Sequence, residues 1–383
     1  MRIAILGSAF PFRGGLAAYN ERLAQTFGEQ GHEVEIYTFT VQYPKWLFPG
    51  KTQYRESLPP SGLRIIRSIH SLSPLSWWQT ARKLVKGRFD LVVAKFWLPV
   101  MGLSLGSVLR LLRMQDSNAF RLTILDNVIP HEARIGDNLF TQYFIGSVDA
   151  AVAMSRPVAA EWSKLTSKPV RVLFHPLYDH YGEPVSREEA CRILGLDPRF
   201  RYILFFGLIR PYKGLDLLLE AWASDRLRAH TEARLLIAGE LYEAPEKYQS
   251  WFRRSELQGR YVFHEGFIPE EQVKYYFSAA DAVVQPYRSA TQSGITQIAY
   301  HFEKPMIVTQ VGALPEMVPD GKVGFVCEPT SAALSVAIDR ILQLPSGYFL
   351  EALRNEKRRY SWDAFATELL SFVRSLHHEE ENF

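Results

Sequence analysis

The stretch FFGLIRPYKGLDLLLEAW, residues 205–222, decides the fold class of this chain. A buried strand is predicted over 203–207 and ends at Gly207, and a tight turn then leads into a helix with one apolar face. The turn carries Arg210 and Lys213, at the carboxyl end of a strand and beside a helix N-terminus. Ligands of open parallel sheets bind at such points, and free backbone N–H groups there favour an anion. We predict that these two cations bind a phosphate-bearing ligand; the alternative is an ordinary surface pair after a core strand.

The same strand–turn–helix pattern recurs on both sides of this stretch. The predicted strands of the first half are RIAILG, VEIYTFT, FDLVVAKF, RLTILDN, VDAAVAMS and VRVLFHP. Those of the second half are YILFFG, ARLLIAG, YVFHEG, DAVVQPY, PMIVT and GFVCEP. Strands that alternate with helices form parallel, doubly wound sheets. The sequence therefore predicts an α/β protein with two tandem Rossmann-like domains, 1–176 and 201–360, joined by a linker over 177–200.

Two further segments complete the predicted organisation. Residues 41–75 have little periodicity and several prolines, so we expect a long irregular excursion at the edge of the first sheet. Residues 361–378 form a long amphipathic helix that has no obvious place on the second sheet. We expect this helix to cross back to the first domain.

Composition narrows the function classes. A chain of 383 residues with 47% apolar and 22% charged residues is typical of a globular protein with about two domains. The net charge of +3 does not indicate a nucleic-acid partner. Cys191 and Cys327 lie far apart and fit a reducing compartment. The longest uncharged run, 96–109, is too short to span a bilayer, and no secretory signal is visible, so we expect a cytoplasmic protein.

Motifs for metal and dinucleotide chemistry are missing from the sequence. Gly50-Lys51-Thr52 lacks the upstream glycine of a phosphate-binding P-loop, and His131-Glu132 lacks the second histidine of a zinc protease. The sequence has no Asp-x-Asp pair and no Gly-x-Gly-x-x-Gly after any strand. We therefore expect no metal and no other cofactor. Gly14-Gly15 lies at the turn after the first strand, where a missing side chain lets a ligand approach the backbone, although a plain tight turn explains it equally.

The chain resembles the retaining, nucleotide-sugar-dependent glycosyltransferases of the GT-B fold, specifically glycosyltransferase family 4 (glycosyl transferases group 1). The resemblance extends over nearly the whole chain. Its segments are PFRGGLAAYNERLAQTF near the start, DNVIPHE at 126–132, FFGLIRPYKG at 205–214 and PYRSATQSGITQIAYHFEKPMIVTQVGALPEMV at 286–318. It implies two domains that face a cleft and a metal-independent transfer of a sugar from a nucleotide-diphosphate donor.

The resemblance also implies roles for individual residues. Arg210 and Lys213 would hold the diphosphate, helped by backbone N–H groups at the start of the helix after DAVVQPY, and the base would lie near the loops after ARLLIAG and YVFHEG. The implied donor site comprises Gly14, Gly15, Gly207, Arg210, Lys213, Gly239, Glu240, Phe267, Ile268, Thr291, Gln292, Ser293, Gly294, Ile295 and Gln297. The implied catalytic residues are Asp126, His131, Arg210 and Lys213.

The chain departs from the family pattern at two places. Members commonly carry two glutamates whose positions fall at Ala290 and Ile298, so the ribose contact is missing or has moved to Gln297 or Thr291. A histidine of the family is replaced by Asp126, which leaves its role open between orienting a sugar hydroxyl and accepting a proton. His131, which matches a second histidine, has the same two options or a purely structural one.

The acceptor side is expected in the first domain. Aromatic and cationic residues there suit an anionic membrane surface and a lipid-linked acceptor: Trp46, Leu47, Phe48, Trp77, Trp78 and Trp97, with Lys45, Lys51, Lys83, Lys86 and Arg88. The alternative is that these are core aromatics beside a solvated helix face. The first interpretation adds a peripheral contact with the inner face of the cell membrane to the cytoplasmic location.

Two functions from different classes follow. The first is a retaining glycosyltransferase that acts on a glycan or lipid-linked acceptor in cell-surface polysaccharide or glycolipid synthesis. The second is a catalytically degenerate GT-B protein that binds a nucleotide sugar or glycan without turnover, which the missing glutamates and Asp126 favour. The phosphate clamp favours the enzyme, because a scaffold has no need of one.

Overall fold

The computed structural model divides the chain into two compact units, Met1–Phe174 with Trp362–Phe383 (unit 1) and His175–Ser361 (unit 2). The residues that the structure describes are 1–43, 53–55, 58–115, 118–128, 136–242, 244, 246–290 and 293–380.

Unit 1 contains one parallel sheet. Its strands are β1 (Arg2–Leu6), β2 (Glu33–Val41), β3 (Arg64–His70), β4 (Leu91–Phe96), β5 (Phe120–Leu125), β6 (Ala150–Ala153) and β7 (Val170–Val172). Its helices are α1 (Gly15–Glu29), α2 (Pro74–Gly87), α3 (Pro99–Met114), α4 (Asp137–Ile145), α5 (Arg156–Leu165) and α15 (Trp362–Glu380). The strand order is β3-β2-β1-β4-β5-β6-β7, so the direction of winding reverses between β1 and β4. Both faces of the central strands are covered, which explains their largely apolar sequences.

Unit 2 has the same architecture. Its strands are β8 (Arg201–Phe206), β9 (Ala233–Gly239), β10 (Tyr261–Glu265), β11 (Ala282–Gln285), β12 (Met306–Thr309) and β13 (Gly324–Cys327). Its helices are α6 (Arg187–Leu194), α7 (Leu215–Trp222), α8 (Asp225–Arg228), α9 (Glu246–Phe252), α10 (Glu270–Ala279), α11 (Gly294–His301), α12 (Leu314–Met317), α13 (Ser331–Gln343) and α14 (Leu350–Lys357). The order β10-β9-β8-β11-β12-β13 reverses between β8 and β11. The predicted fold class, α/β with two doubly wound parallel sheets, is confirmed.

The C-terminal helix α15 belongs to unit 1. Its apolar face, which includes Trp362, Phe365 and Leu369, is buried in a core shared with β1 and α1. The Trp362 ring lies 5.0 Å from that of Tyr19, and the Gln30 side chain donates a hydrogen bond of 2.6 Å to the Asp363 carboxylate. Helix α15 therefore packs in the same hydrophobic core as β1 and α1.

Deleting residues 362–383 should destabilise unit 1 by more than about 5 kcal/mol, because the core around β1 and α1 loses several large apolar side chains at once. The free energy of unfolding, measured by urea denaturation, checks this expectation. Deleting only 377–383 leaves every described buried side chain of α15 in place and should leave the stability unchanged. Equal denaturation midpoints for the two truncated chains would contradict the packing described here.

One segment of unit 1 differs from its prediction. The expectation of an irregular excursion over 41–75 is wrong for Arg64–His70, which pair with β2 as strand β3. The strand lies at the edge of the sheet, where Arg64 and Arg67 are exposed and Ile65 and Ile66 only half buried. Because one side of it is solvated, it lacks the continuous apolar run of the central strands.

The stretch 177–200, predicted as a linker, is part of unit 2 and contains α6. The Ser186 hydroxyl accepts a hydrogen bond of 3.2 Å from the Glu189 N–H at the start of this helix. Arg187 then pairs with Asp281 at 3.0 Å. The predicted linker thus contains a capped helix that is held by an ion pair.

Candidate active site

Arg210 and Lys213 lie on the turn after β8, at the point where the winding of unit 2 reverses. Gly207 ends the strand with φ 99°, and its N–H donates to the Ala238 carbonyl at 2.9 Å. The Ile209 N–H donates to the Glu240 carbonyl at 2.8 Å, which ties this turn to the loop after β9. Crevices outside such reversal points are the ligand sites of open α/β sheets. The turn therefore stands where the sequence predicted a ligand.

Residues from the segment after β11 fix the shape of this turn. The Arg288 N–H donates to the Tyr212 carbonyl at 2.7 Å, and the Arg288 guanidinium binds both carboxylate oxygens of Asp216 at 2.8 Å. Gly214 has φ 68°, and a Cβ there would lie 2.0 Å from the Pro286 carbonyl oxygen. Only glycine permits this approach. The backbone that carries Arg210 and Lys213 is thus held by two neighbouring segments.

Lys213 is a buried cation. Its residue is 8% exposed, and its Nζ lies 5.7 Å from the centre of the Tyr287 ring. No acidic side chain pairs with it among the residues that the structure describes. Burial lowers its pKa to about 8, and the nearby Arg210 guanidinium adds to the effect. A buried charge without a counter-charge is costly, and an anionic ligand would supply the missing partner.

Arg210 provides a second cation on the same turn. It is exposed, and its guanidinium carbon lies 5.1 Å from the centre of the Tyr242 ring. Within the described ranges its side chain has no acidic partner. The turn therefore presents two positive charges that the described protein atoms leave uncompensated.

Helix α11 begins beside this turn. Ser293 is 7% exposed, and its hydroxyl lies 3.3 Å from that of Tyr287. The Ile295 Cδ1 lies 3.5 Å, and the Lys213 Nζ 3.0 Å, from the place of a Cβ on Gly207. A Cβ on Gly294 would come within 3.1 Å of the Tyr178 ring. The structure thus brings Gly207, Lys213 and the first turn of α11 together, whereas Thr291 and Gln292 lie outside the described residues.

The loops after β9 and β10 continue the same edge of the sheet. A Cβ on Gly239 would lie 2.0 Å from the Gly207 carbonyl oxygen, and the Gly266 N–H donates to the Gly239 carbonyl at 3.1 Å. Glu240 is half buried, Phe267 is 70% exposed and Ile268 is half buried. These predicted donor residues therefore lie beside the β8 turn and leave an exposed aromatic ring at its margin.

Gln297 differs from the other predicted donor residues because its side chain is fully buried. Neither end of its amide has a hydrogen-bond partner among the described residues. Ile298, at the position of a family glutamate, is 4% exposed and apolar, so no carboxylate stands there. The buried Gln297 amide is next in sequence to Ile298, the position at which the family pattern has its second glutamate.

The predicted residues of unit 1 lie at the corresponding edge of the first sheet. Asp126 follows β5, and its Oδ1 lies 2.8 Å from the Nζ of Lys95 at the end of β4. Gly14 has φ 100° and precedes α1, which begins at Gly15; both are exposed, with no atom within 4 Å of an added Cβ. His131 lies outside the described residues. Sequence reasoning missed Lys95, although a lysine within the otherwise apolar strand LVVAKF is a visible signal.

The predicted cationic, aromatic surface is formed only in part. Trp77 is 8% exposed in the core, and its Nε1 donates to the His70 carbonyl at 2.8 Å. The Trp97 Nε1 donates to the Tyr43 hydroxyl at 2.8 Å and the residue is half buried. Trp78 is 43% exposed, and Lys83, Lys86 and Arg88 are exposed nearby in sequence, while residues 44–52 lie outside the description. Of the two interpretations left open by the sequence, the core aromatic therefore applies to Trp77, which is not part of a surface.

The described residues contain no group of three or more His, Cys, Asp or Glu side chains placed to hold a metal ion. None of the helices in this part of the chain combines the length and apolarity needed to cross a membrane.

Comparison with known proteins gives the family context. Residues 200–344 match the family model for glycosyl transferases group 1. D-inositol 3-phosphate glycosyltransferase from Pseudarthrobacter chlorophenolicus is 24% identical over 361 residues, covering 84% of this chain and 80% of that protein. An uncharacterized glycosyltransferase from Methanocaldococcus jannaschii is 21% identical, covering 97% of both chains. The D-inositol 3-phosphate glycosyltransferase from Segniliparus rotundus is 29% identical, but the match covers 50% of this chain and 44% of that protein.

Solved structures share the fold at low identity. Anabaena HepE in complex with UDP has a TM-score of 0.70 and 16% identity, covering 98% of this chain and all of the other. Sucrose-phosphate synthase from Thermosynechococcus elongatus has a TM-score of 0.67 and 18% identity, covering 99% of this chain. The resemblance that the sequence segments carry is confirmed: residues 200–344 match the model for glycosyl transferases group 1, and the chain is an enzyme of the glycosyltransferase class with the GT-B fold.

Proposed function

We propose that this protein is a retaining, metal-independent glycosyltransferase that moves a sugar from a nucleoside-diphosphate sugar to a glycan or lipid-linked acceptor, in cell-surface polysaccharide or glycolipid synthesis. The observation that carries the proposal is Lys213, a buried ammonium beside Arg210, neither of which has an acidic partner among the described residues. A diphosphate supplies the charge that this turn lacks.

The chemistry of sugar transfer explains why such cations would matter. When the bond between the sugar and the diphosphate breaks, negative charge develops on the departing phosphate oxygen. Lys213 and Arg210, with the backbone N–H groups of the first turn of α11, would stabilise that charge. Each such interaction, when it strengthens in the transition state, contributes about 3 kcal/mol. No step of this scheme requires a divalent ion, because the two cations take the place that a metal would have.

The loops after β9 and β10 are the proposed base site. Gly239 leaves room for close backbone approach there, and Phe267 offers an exposed ring. UDP is the first nucleotide to test, because the similar HepE structures were determined with UDP and with UDP-glucose. The retaining outcome is proposed from the resemblance to family 4. Arg210 and Lys213, which that resemblance assigns to the diphosphate, are both present in this chain.

A lipid-linked acceptor is proposed from the surface of unit 1. Leu72, Leu75 and Trp78 are exposed near the start of α2, and Lys83 and Lys86 are exposed later on the same helix. Apolar residues beside basic ones suit an anionic membrane surface. Sedimentation with anionic lipid vesicles at low salt tests the contact, and an absence of binding would exclude it.

A second candidate is binding without turnover. The apolar residues Ala290 and Ile298 at the positions of the family glutamates favour it, because contacts to the donor are then fewer. The two candidates differ in whether bound donor is consumed.

The test is a thermal-shift panel with UDP, GDP, ADP, CMP and their common sugars, with and without EDTA. A ligand at about 100 times its dissociation constant stabilises the folded state by about 2.7 kcal/mol. We expect one base to stand out, unaffected by EDTA, and its sugar nucleotide to be hydrolysed slowly when no acceptor is present. A shift without any release of the nucleotide would favour the binding protein. No shift with any nucleotide would overturn the glycosyltransferase and favour a protein that binds a glycan without turnover.

A further inference from the structure

We propose that Lys95 is a positioning residue of the active site: its ammonium holds one oxygen of Asp126, so that the other oxygen accepts a hydrogen bond from a sugar hydroxyl. The inference rests on the proposed glycosyltransferase function and assigns a partner to Asp126, which stands where the family pattern has a histidine. Of the two roles left open for Asp126, it assigns the orientation of a sugar hydroxyl and not the acceptance of a proton.

The backbone fixes the two residues next to each other. Strands β4 and β5 are paired in parallel along their whole length, with Phe96 opposite Leu125 at the end. The Asp126 N–H then donates to the Phe96 carbonyl at 3.0 Å, which extends the pairing by one residue. Lys95 and Asp126 therefore lie together at the carboxyl edge of the sheet, where ligands of this architecture bind.

The surroundings of Lys95 leave Asp126 as its acidic partner. The Lys95 side chain is 2% exposed, and its Nζ lies 2.8 Å from the Asp126 Oδ1. The other groups around the ammonium are the face of the Tyr19 ring, at 3.6 Å from its centre, and the Met154 sulfur at 3.8 Å. Burial lowers the pKa of Lys95, and the Asp126 carboxylate opposes that effect. Among the described residues, Asp126 is therefore the acidic group that the buried ammonium contacts.

The pair is poorly explained as a stabilising device. Replacing a buried ion pair by apolar side chains of similar volume is commonly neutral or stabilising, so packing alone would be served as well by methionine. Asp126 is 19% exposed, and among the described residues no hydrogen bond ends on its second carboxylate oxygen. The arrangement leaves one oxygen held and one available, as expected for a group that must point at a ligand.

A neighbouring amide supports a polar site here. The Asn20 side chain is 1% exposed, and its Nδ2 donates to the Ser8 carbonyl at 2.8 Å, while its Oδ1 has no partner among the described residues. A Cβ on Gly7 would lie 2.5 Å from the Asn20 Nδ2 and 3.4 Å from the Lys95 Cβ. Gly7 follows β1, so Asn20, Lys95 and Asp126 gather at the ends of the strands where the winding of unit 1 reverses.

The charge balance of the pair also fits a hydrogen-bonding role. Lys95 cancels the charge of Asp126 without removing its ability to accept a hydrogen bond. A neutral acceptor of this kind takes over the hydrogen-bonding capacity of a histidine ring.

The test compares Lys95→Met, Asp126→Asn and the double variant in UDP affinity, thermal stability and the kcat of donor hydrolysis. We expect Lys95→Met to fold with unchanged stability, to bind UDP like the wild type, and to lose at least about tenfold in kcat. Asp126→Asn should lose as much in kcat and also melt at a lower temperature, because it leaves Lys95 buried without its partner. The double variant should regain stability without regaining kcat, since the two residues act as a unit.

The control is Lys168→Met in the same unit, which removes a partly buried lysine whose Nζ donates to the Ile145 carbonyl at 2.8 Å and should leave kcat unchanged. If Lys95→Met does not fold, Lys95→Gln replaces it, with the same expected loss. A Lys95 variant with the wild-type kcat would overturn the inference, and so would a double variant that regains kcat together with stability. A wild-type protein that binds no nucleotide and hydrolyses no donor would instead overturn the proposed function.

Discussion

Replacing Lys213 with methionine is expected to weaken UDP binding by about a hundredfold while making the ligand-free protein more stable. Both effects arise because Lys213 is 8% exposed and has no acidic partner among the described residues. The ammonium is available to a diphosphate, but it is costly to keep in the empty site. Its pKa, lowered from 10.5 to about 8, corresponds to about 3 kcal/mol of unfavourable burial, and a gain of about 1–2 kcal/mol in stability is expected after relaxation.

Isothermal calorimetry and urea denaturation measure the two effects. Lys164→Met, which removes an exposed lysine of unit 1, is the matched control and should change neither quantity. Opposite signs for affinity and stability are characteristic of a functional buried charge. A variant that loses stability, or that binds UDP like the wild type, would contradict the assignment of Lys213 to the donor site.

The second large effect is expected from Gly214→Ala, which should destabilise unit 2 by about 3–4 kcal/mol and abolish donor binding. An added Cβ would lie 2.0 Å from the Pro286 carbonyl oxygen, so the turn that carries Lys213 must move away from the segment after β11. Backbone atoms on both sides leave no flexible side chain to give way. The displaced turn would also strain the Arg288 contacts with Tyr212 and Asp216.

Gly195→Ala is a close control for this prediction. Gly195 has φ 66° and ψ 29°, almost the same as the 68° and 33° of Gly214, but a Cβ there meets no atom within 4 Å. It therefore carries the cost of the left-handed backbone alone, about 1–2 kcal/mol. The difference between the two variants isolates the clash. Equal losses of stability would show that the contact with Pro286 does not hold the turn.

The sequence predicted those features that depend on local pattern. Continuous apolar runs located the central strands of both sheets, and the change from strand to helix spacing located the turn at Arg210 and Lys213. Strand β3 was not predicted because it is a solvated edge strand, in which arginines interrupt the isoleucines. The sequence left Trp77 open between core and surface, because an aromatic residue next to basic ones looks the same in sequence whether it faces the core or solvent.

Other features depend on contacts that sequence spacing does not contain. Lys95 and Asp126 are far apart in the chain and meet only because β4 and β5 are neighbours in the sheet. The absence of a described acidic partner for Lys213 likewise follows from the packing of three loops. A cation next to a strand end can be read from sequence, whereas its burial and its pairing cannot.

The most direct test of the central claim is the affinity for UDP as a function of pH, from about pH 7 to about pH 9.5, for the wild type and for Lys213→Met. Lys213 has a lower pKa in the folded protein, about 8, than in the unfolded chain, so the unfolded chain binds more protons between pH 8 and 10.5 and the ligand-free protein gains stability as pH rises there.

UDP binds the protonated lysine, so its affinity should fall as pH rises through about 8, by up to about tenfold per pH unit, and Lys213→Met should show weak affinity without this dependence. The same pH profile for both proteins, at equal affinity, would contradict the claim that Lys213 binds the donor diphosphate.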